Sequence, residues 1–151
     1  MPPYTTHYTA NTLDDLTPLS ALIAKHLHPP MIVGLTGDIG SGKTTFVRHI
    51  AHQLGSHDWV NSPTYAIIQR YHAESVSLLH VDLYRLSGDN DIDRLDLPSQ
   101  ITPQTIAFIE WSNTTTQLPL DLTLHFLVLT AQSRRITITS PHPFTTSPAS
   151  D

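Results

Sequence analysis

The sequence predicts an α/β fold in one compact domain. Three observations carry this. Short apolar runs bounded by turn residues recur along the chain, a glycine-rich turn joins one of them to a helical pattern, and 151 residues suit a single domain. A chain of this length buries a substantial core without covalent staples, and its hydrophobic share of 39% is ordinary for a globular protein.

The elements follow in order. Tyr4 to Ala10 reads as an edge strand. Asn11 or Thr12 can cap a helix in which Leu16, Leu19, Leu22, Ile23 and Leu27 recur at helical spacing; a later start, capped by Thr17 with Pro18 behind it, fits equally well. Pro29-Pro30 stops that helix. Met31 to Thr36 is a short apolar run, expected as a buried strand. Glycines follow, then a helix from Lys43 to Leu54 with Gly55 as its stop. Tyr65 to Tyr71 and Val76 to Leu83 read as strands. Ser87 to Gln104 is polar and interrupted by Pro98 and Pro103, which predicts a loop with a short helix near Ile92. Thr105 to Trp111 is a further strand, and Leu122 to Leu129 with Arg135 to Thr139 form a hairpin. The total is a sheet of six or seven strands with few helices. No internal repeat is present. The folded domain is expected over 1–139, and Ser140 to Asp151, rich in Pro, Ser and Thr, reads as a disordered tail.

Composition excludes several classes of function. The chain has no cysteine, so disulfides and thiolate metal sites are ruled out. No apolar run approaches the roughly 20 residues that span a bilayer, and Met1 to Thr12 lacks the regions of a signal peptide, so no membrane association and a cytoplasmic location are expected. The net charge is −5 with eight Lys and Arg, a poor balance for holding nucleic acid unaided; any RNA in this protein's biology would be carried by a partner. His49 and His52 stand one turn apart on the helix after the glycines. Spacing supplies no third ligand, so a zinc site is not expected.

The segment Gly37-Asp38-Ile39-Gly40-Ser41-Gly42-Lys43-Thr44 matches the phosphate-binding pattern G-x-x-x-x-G-K-[ST] at every fixed position. An apolar strand leads in and a helix leads out, as a P-loop requires. Glycines let backbone N–H groups approach phosphate oxygens, and the helix N-terminus adds partial positive charge. Lys43 is placed to reach the β- and γ-phosphates, and the Thr44 hydroxyl to ligate Mg²⁺.

A P-loop also needs acid at the end of a neighbouring strand. Asp82 closes Leu78-Leu79-His80-Val81, and Glu110 closes Ile106-Ala107-Phe108-Ile109. One carboxylate would serve the magnesium shell and the other the attacking water; their similar positions leave open which contacts the metal. Thr64, in Ser62-Pro63-Thr64-Tyr65, stands where switch loops lie in P-loop NTPases, so its hydroxyl is a candidate sensor of the γ-phosphate; a Ser-Pro turn leading into a strand is the plainer reading. Guanine readers carry an Asn-Lys-x-Asp element. The lysine outside the P-loop is Lys25, followed by His26-Leu27, so adenine is favoured by elimination. Arginines at 48, 70, 85, 94, 134 and 135 form no lid-like cluster of the kind small-molecule kinases use.

With these pieces assembled, the blocks Gly37 to Arg48, Ser62 to Tyr65, His80-Val81-Asp82-Leu83-Tyr84-Arg85-Leu86 and Ile109-Glu110-Trp111 resemble the TsaE (YjeE) family of bacterial ATPases, in the family's order and spacing, over roughly Asn11 to Thr139. The resemblance implies a P-loop NTPase fold in a single domain with a mixed, largely parallel central sheet. It implies an ATPase using ATP and Mg²⁺ that supports threonylcarbamoyladenosine formation in tRNA, working on a complex of TsaB and TsaD that holds the tRNA and stimulates hydrolysis. It also implies that Lys43, Thr44 and Thr45 bind phosphate and metal, that Asp82 and Glu110 serve metal and hydrolysis, that Trp111 lies close to the nucleotide, and that Arg134 contacts it. One departure stands out: Arg94-Leu95-Asp96-Leu97-Pro98-Ser99-Gln100 replaces an acidic helix usual after the Asp-Leu-Tyr-Arg block. Two alternative functions fit the residues, a small-molecule kinase and a non-catalytic module whose association is gated by ATP.

Overall fold

The computed structural model describes residues 3–61, 66–115 and 118–144. The strands are β1 (Tyr4–Ala10), β2 (Met31–Gly37), β3 (Ile68–His72), β4 (Ser77–Asp82), β5 (Thr105–Glu110), β6 (Leu122–Val128) and β7 (Arg134–Ser140). The helices are α1 (Leu16–Ala24), α2 (Lys43–Gln53), α3 (Asp89–Asp93) and α4 (Leu97–Gln100), with 3-10 turns at Leu13–Asp15 and Ser112–Thr114. One mixed sheet of seven strands runs in the order β1-β7-β6-β2-β5-β4-β3. Its central strands β6, β2, β5 and β4 are parallel. Antiparallel β7 and β1 extend one side and β3 the other. This is the mixed, centrally parallel α/β domain expected from the sequence.

Strand alternation sorts the core onto the two faces of the sheet. On one face Val33, Leu78, Ile106 and Phe108 meet the buried stripes of α1 (Leu16, Leu19, Ile23) and α2 (Phe46, Val47, Ile50). On the other, Leu79, Val81, Ala107 and Ile109 pack under Ile92 of α3 and Leu97 of α4. The central strands are therefore apolar on both faces, as parallel strands must be when both sides are covered. Register then fixes the chemistry: Asp82 lies opposite Glu110, and Glu110 opposite Leu35, just before β2 ends in Gly37. The glycine turn and both acids emerge at the same, carboxyl edge of the sheet, where α/β folds place ligands.

Several expectations are corrected. Thr12 caps the helical segment, as one of the two readings has it, but the segment opens as a 3-10 turn, Leu13–Asp15, with α1 beginning at Leu16. A 3-10 turn precedes α1, because the Asp15 carboxylate accepts the backbone N–H groups of Asn11 and Thr12 and tightens that segment. β3 begins at Ile68, after Ile67 turns the chain at φ 66°. A second short helix, α4, forms where a loop was expected, since Pro98 sits in its first turn and removes no helical bond. The boundary at 139/140 falls inside ordered chain: β7 includes Ser140, and Phe144 is buried, its carbonyl accepting the Thr6 hydroxyl of β1. Residues 145–151 and Thr64 lie outside the described residues.

Candidate functional site

The turn from β2 into α2 is shaped by backbone that other residues cannot follow. Gly37 has φ +136°, and a Cβ there would stand 2.5 Å from the Phe126 carbonyl oxygen of the neighbouring β6. The loop then bonds to itself: the Ser41 N–H donates to the Asp38 carbonyl at 3.1 Å. The guanidinium of Arg134, buried at the start of β7, donates to the carbonyls of Ser41 at 3.0 Å and Gly40 at 3.2 Å, and on its other side to Thr130 at 2.9 Å. Arg134 thus ties the loop to the β6–β7 hairpin.

A cavity of about 400 Å³ opens over this loop. Ile39, Gly40, Gly42, Lys43, Thr44 and Thr45 line it from the loop and the start of α2. Lys43 to Thr45 are the first residues of α2, and helices leave their leading N–H groups without intrahelical partners. Asp82 and Glu110, with Trp111 just beyond β5, line it from the strand ends, and Arg134 lines it from the start of β7. Of the residues singled out in the sequence, Gly37, Asp38 and Ser41 serve the loop's own bonding rather than the wall. Ile39 is 71% exposed and projects at the rim.

The side chains converge. The Thr44 hydroxyl lies 3.0 Å from both carboxylate oxygens of Glu110. The Lys43 ammonium donates to the carbonyls of Gly37 at 2.6 Å and Asp38 at 2.9 Å, and lies 4.5 Å from the centre of the Trp111 ring. Burial pushes the Lys43 pKa down, and the carboxylates of Glu110, Asp82 and Asp38 oppose that shift. Asp82, itself buried, accepts the Tyr84 N–H at 2.9 Å. Trp111 has φ 60° and its backbone N–H donates to the Leu35 carbonyl; its ring lies against that of Tyr84 with centroids 5.0 Å apart. Two carboxylates and a hydroxyl lining one cavity are the oxygen donors a hard divalent cation takes, and an ammonium with the leading helix N–H groups beside them suits a polyanion.

A family model described as "Threonylcarbamoyl adenosine biosynthesis protein TsaE" matches residues 10–137. The chain belongs to the TsaE family. Curated proteins named "tRNA threonylcarbamoyladenosine biosynthesis protein TsaE" are similar to it. The one from Rickettsia conorii is 37% identical over 106 residues, covering 70% of this chain and 60% of its own length. That from Aquifex aeolicus is 31% identical over 127 residues, covering 83% and 89%. The chain thus spans about 60% of the length of the Rickettsia relative and 58% of a Haemophilus influenzae one. Among solved structures, the crystal structure of YdiB from Bacillus subtilis superposes with a TM-score of 0.76 at 26% identity, covering 93% of this chain and 88% of that one.

Three residues of this TsaE site escaped the sequence reading. Leu13 reaches the cavity from the 3-10 turn, whose contacts with α1 and β1 set its place. Tyr84 lines it from just beyond β4. His80 is completely buried, with Nε2 2.6 Å from Glu110 Oε2. Its signal was present: a polar residue inside Leu78–Val81, two before Asp82 and therefore on the same face of the strand.

Proposed function

We propose that this TsaE-family chain binds ATP with Mg²⁺ in the cavity over Gly37–Thr44 and hydrolyses it, in support of threonylcarbamoyladenosine formation in tRNA together with a TsaB–TsaD complex. One observation carries the reading: the Thr44 hydroxyl, at the start of α2, meets the carboxylate of Glu110, at the end of a neighbouring strand, at 3.0 Å. Thr44, Asp82 and Glu110 are the residues that would hold the metal. A bound Mg²⁺ neutralises charge on the polyphosphate as it builds during phosphoryl transfer.

The chain's own residues supply the rest. Lys43 exchanges its carbonyl partners for phosphate oxygens, and the leading N–H groups of α2 take the others. Asp82, braced by the Tyr84 N–H, serves the metal shell, while a Glu110 oxygen accepts a hydrogen bond from the attacking water and orients it. Trp111 and Tyr84, ring against ring, line the cavity beside these acids. No arginine donor besides Arg134 lines the cavity among the described residues, and Arg134 is committed to carbonyls, so hydrolysis without partners is slow. The family name and the matches to TsaE proteins support the tRNA-modification context, and the acidic charge of −5 agrees with tRNA being held by the partners.

The test is phosphate release from Mg²⁺·ATP by the purified chain, with and without TsaB and TsaD from the same source. Partner-stimulated release that disappears in Glu110→Gln supports the reading. Wild-type release by that variant removes Glu110 from catalysis. A γ-phosphoryl recovered on a small acceptor makes the protein a kinase instead.

A further inference from the structure

A histidine withdrawn from water in the middle of an apolar strand needs a physical reason. His80 sits between Leu79 and Val81 in β4 at 0% exposure. An apolar side chain would fill this place without the cost that attends a buried polar group left unpaired. The ring nonetheless has such a group: Nδ1 has no hydrogen-bond partner among the described residues. Its polar contact is Nε2 to Glu110 Oε2, at 2.6 Å. An ionised carboxylate only accepts, so Nε2 is the donor in this bond.

The contact is asymmetric where the other contact to Glu110 is not. Thr44 Oγ1 stands 3.0 Å from each carboxylate oxygen and does not select between them. His80 bonds Oε2 alone, which leaves Oε1 as the oxygen with fewer donors. The ring itself is pinned by its strand register, Gln69 on β3 and Phe108 on β5, and by the Tyr71 ring with centroids 6.1 Å apart. When Thr44 turns its oxygen toward a ligand, the His80 bond is the one that still fixes the carboxylate. We infer that His80 is a positioning residue that holds Glu110 in its working rotation. The kinetic consequence rests on the proposed hydrolysis; the hydrogen bond rests on the geometry alone.

Two measurements test this separately. Imidazole ¹⁵N spectra of the ligand-free chain, with His80 assigned from its absence in His80→Phe, are expected to show the Nε2–H tautomer, and Glu110→Gln should shift its Nε2 signal. An Nδ1–H tautomer, or a signal indifferent to Glu110→Gln, overturns the inference. In the partner-stimulated ATPase assay, His80→Phe should lower kcat about 10- to 100-fold, as expected for a catalytic group displaced by a fraction of an ångström to one ångström, with the ATP Kd within about threefold of wild type. His80→Gln, whose amide nitrogen can donate from a similar place, should recover most of the loss and serves alone where His80→Phe does not fold. Unchanged kcat in His80→Phe, or no recovery in a folded His80→Gln, overturns the inference. Should the wild-type chain hydrolyse nothing, the proposed function falls and the spectra decide the role of His80 by themselves.

Discussion

Replacing Lys43 with alanine separates the cost of the ligand-free cradle from its affinity for phosphate. In the free protein the ammonium already has partners, the carbonyls of Gly37 and Asp38 at 2.6 and 2.9 Å and the face of Trp111. Binding a triphosphate exchanges them for charge-assisted bonds. A hydrogen bond to a charged group contributes about 1.5–3 kcal/mol net; two such bonds to the β- and γ-phosphates are offset in part by the surrendered carbonyl bonds. A net loss of about 2–3 kcal/mol makes Lys43→Ala roughly 30- to 150-fold weaker for ATP by titration calorimetry. The pH dependence follows from the same residue. Burial lowers the Lys43 pKa, and phosphate raises it again on binding. Affinity should be flat at neutral pH, then fall toward tenfold per pH unit once the free protein loses that proton, at a lower pH than an exposed lysine would give; Lys43→Ala should lack this limb. Stability of the ligand-free chain moves the other way. The unfolded state binds the extra proton in the window between the lowered folded pKa and the unfolded value, so this group's contribution to stability rises with pH there. An alanine variant that binds ATP within threefold of wild type refutes the assignment of Lys43 to phosphate.

Other substitutions read other parts of the design. Gly37→Ala drives a methyl to 2.5 Å from the Phe126 carbonyl and should disturb both melting temperature and ATP affinity, whereas Gly40→Ala, at φ +77° with nothing within 4 Å of its Cβ, should cost only the left-handed strain of about 1–2 kcal/mol. Arg134→Ala leaves the carbonyls of Gly40, Ser41 and Thr130 without their donor, so it should lower thermal stability of the ligand-free chain by at least about 2 kcal/mol; an effect confined to nucleotide affinity would mean Arg134 contacts nucleotide rather than bracing the loop. Phe46→Ala empties the contact between α2 and Phe126, whose ring lies 5.7 Å away, and should cost about 3–5 kcal/mol in denaturant unfolding.

What the sequence disclosed was local pattern, and what it concealed was distance along the chain. β2, β4 and β5 were legible as apolar runs because both of their faces are covered, and the glycine turn because its backbone demands are local. Asp82 and Glu110 were legible as carboxylates closing such runs. The pairing that makes them a site was not written locally, since it needs β5 to lie between β2 and β4. The same holds for His80, whose partner Glu110 is 30 residues away. It holds for Arg134, whose bonds to the loop span more than ninety positions. The boundary at 139/140 moves for this reason too: the Phe144 carbonyl accepts a bond from Thr6, a partner 138 residues distant that composition does not reveal.

That topology also explains why one wall carries so much of the chemistry. Parallel register places Leu35, Asp82 and Glu110 level across three adjacent strands, so the carboxylates share an edge without any loop having to carry them there. Alternation then selects the face. His80 and Asp82 are two apart on β4, Phe108 and Glu110 two apart on β5, and both pairs face α2, whose first turn presents Lys43 and Thr44. A one-residue slip of β4 against β5 would turn Asp82 and His80 to the face covered by α3 and α4 and would bury Val81 against the P-loop helix instead. The apolar residues Leu79 and Val81, which occupy that other face, oppose the slip. Packing on the side away from the cavity is thus what holds both acids on the side toward it.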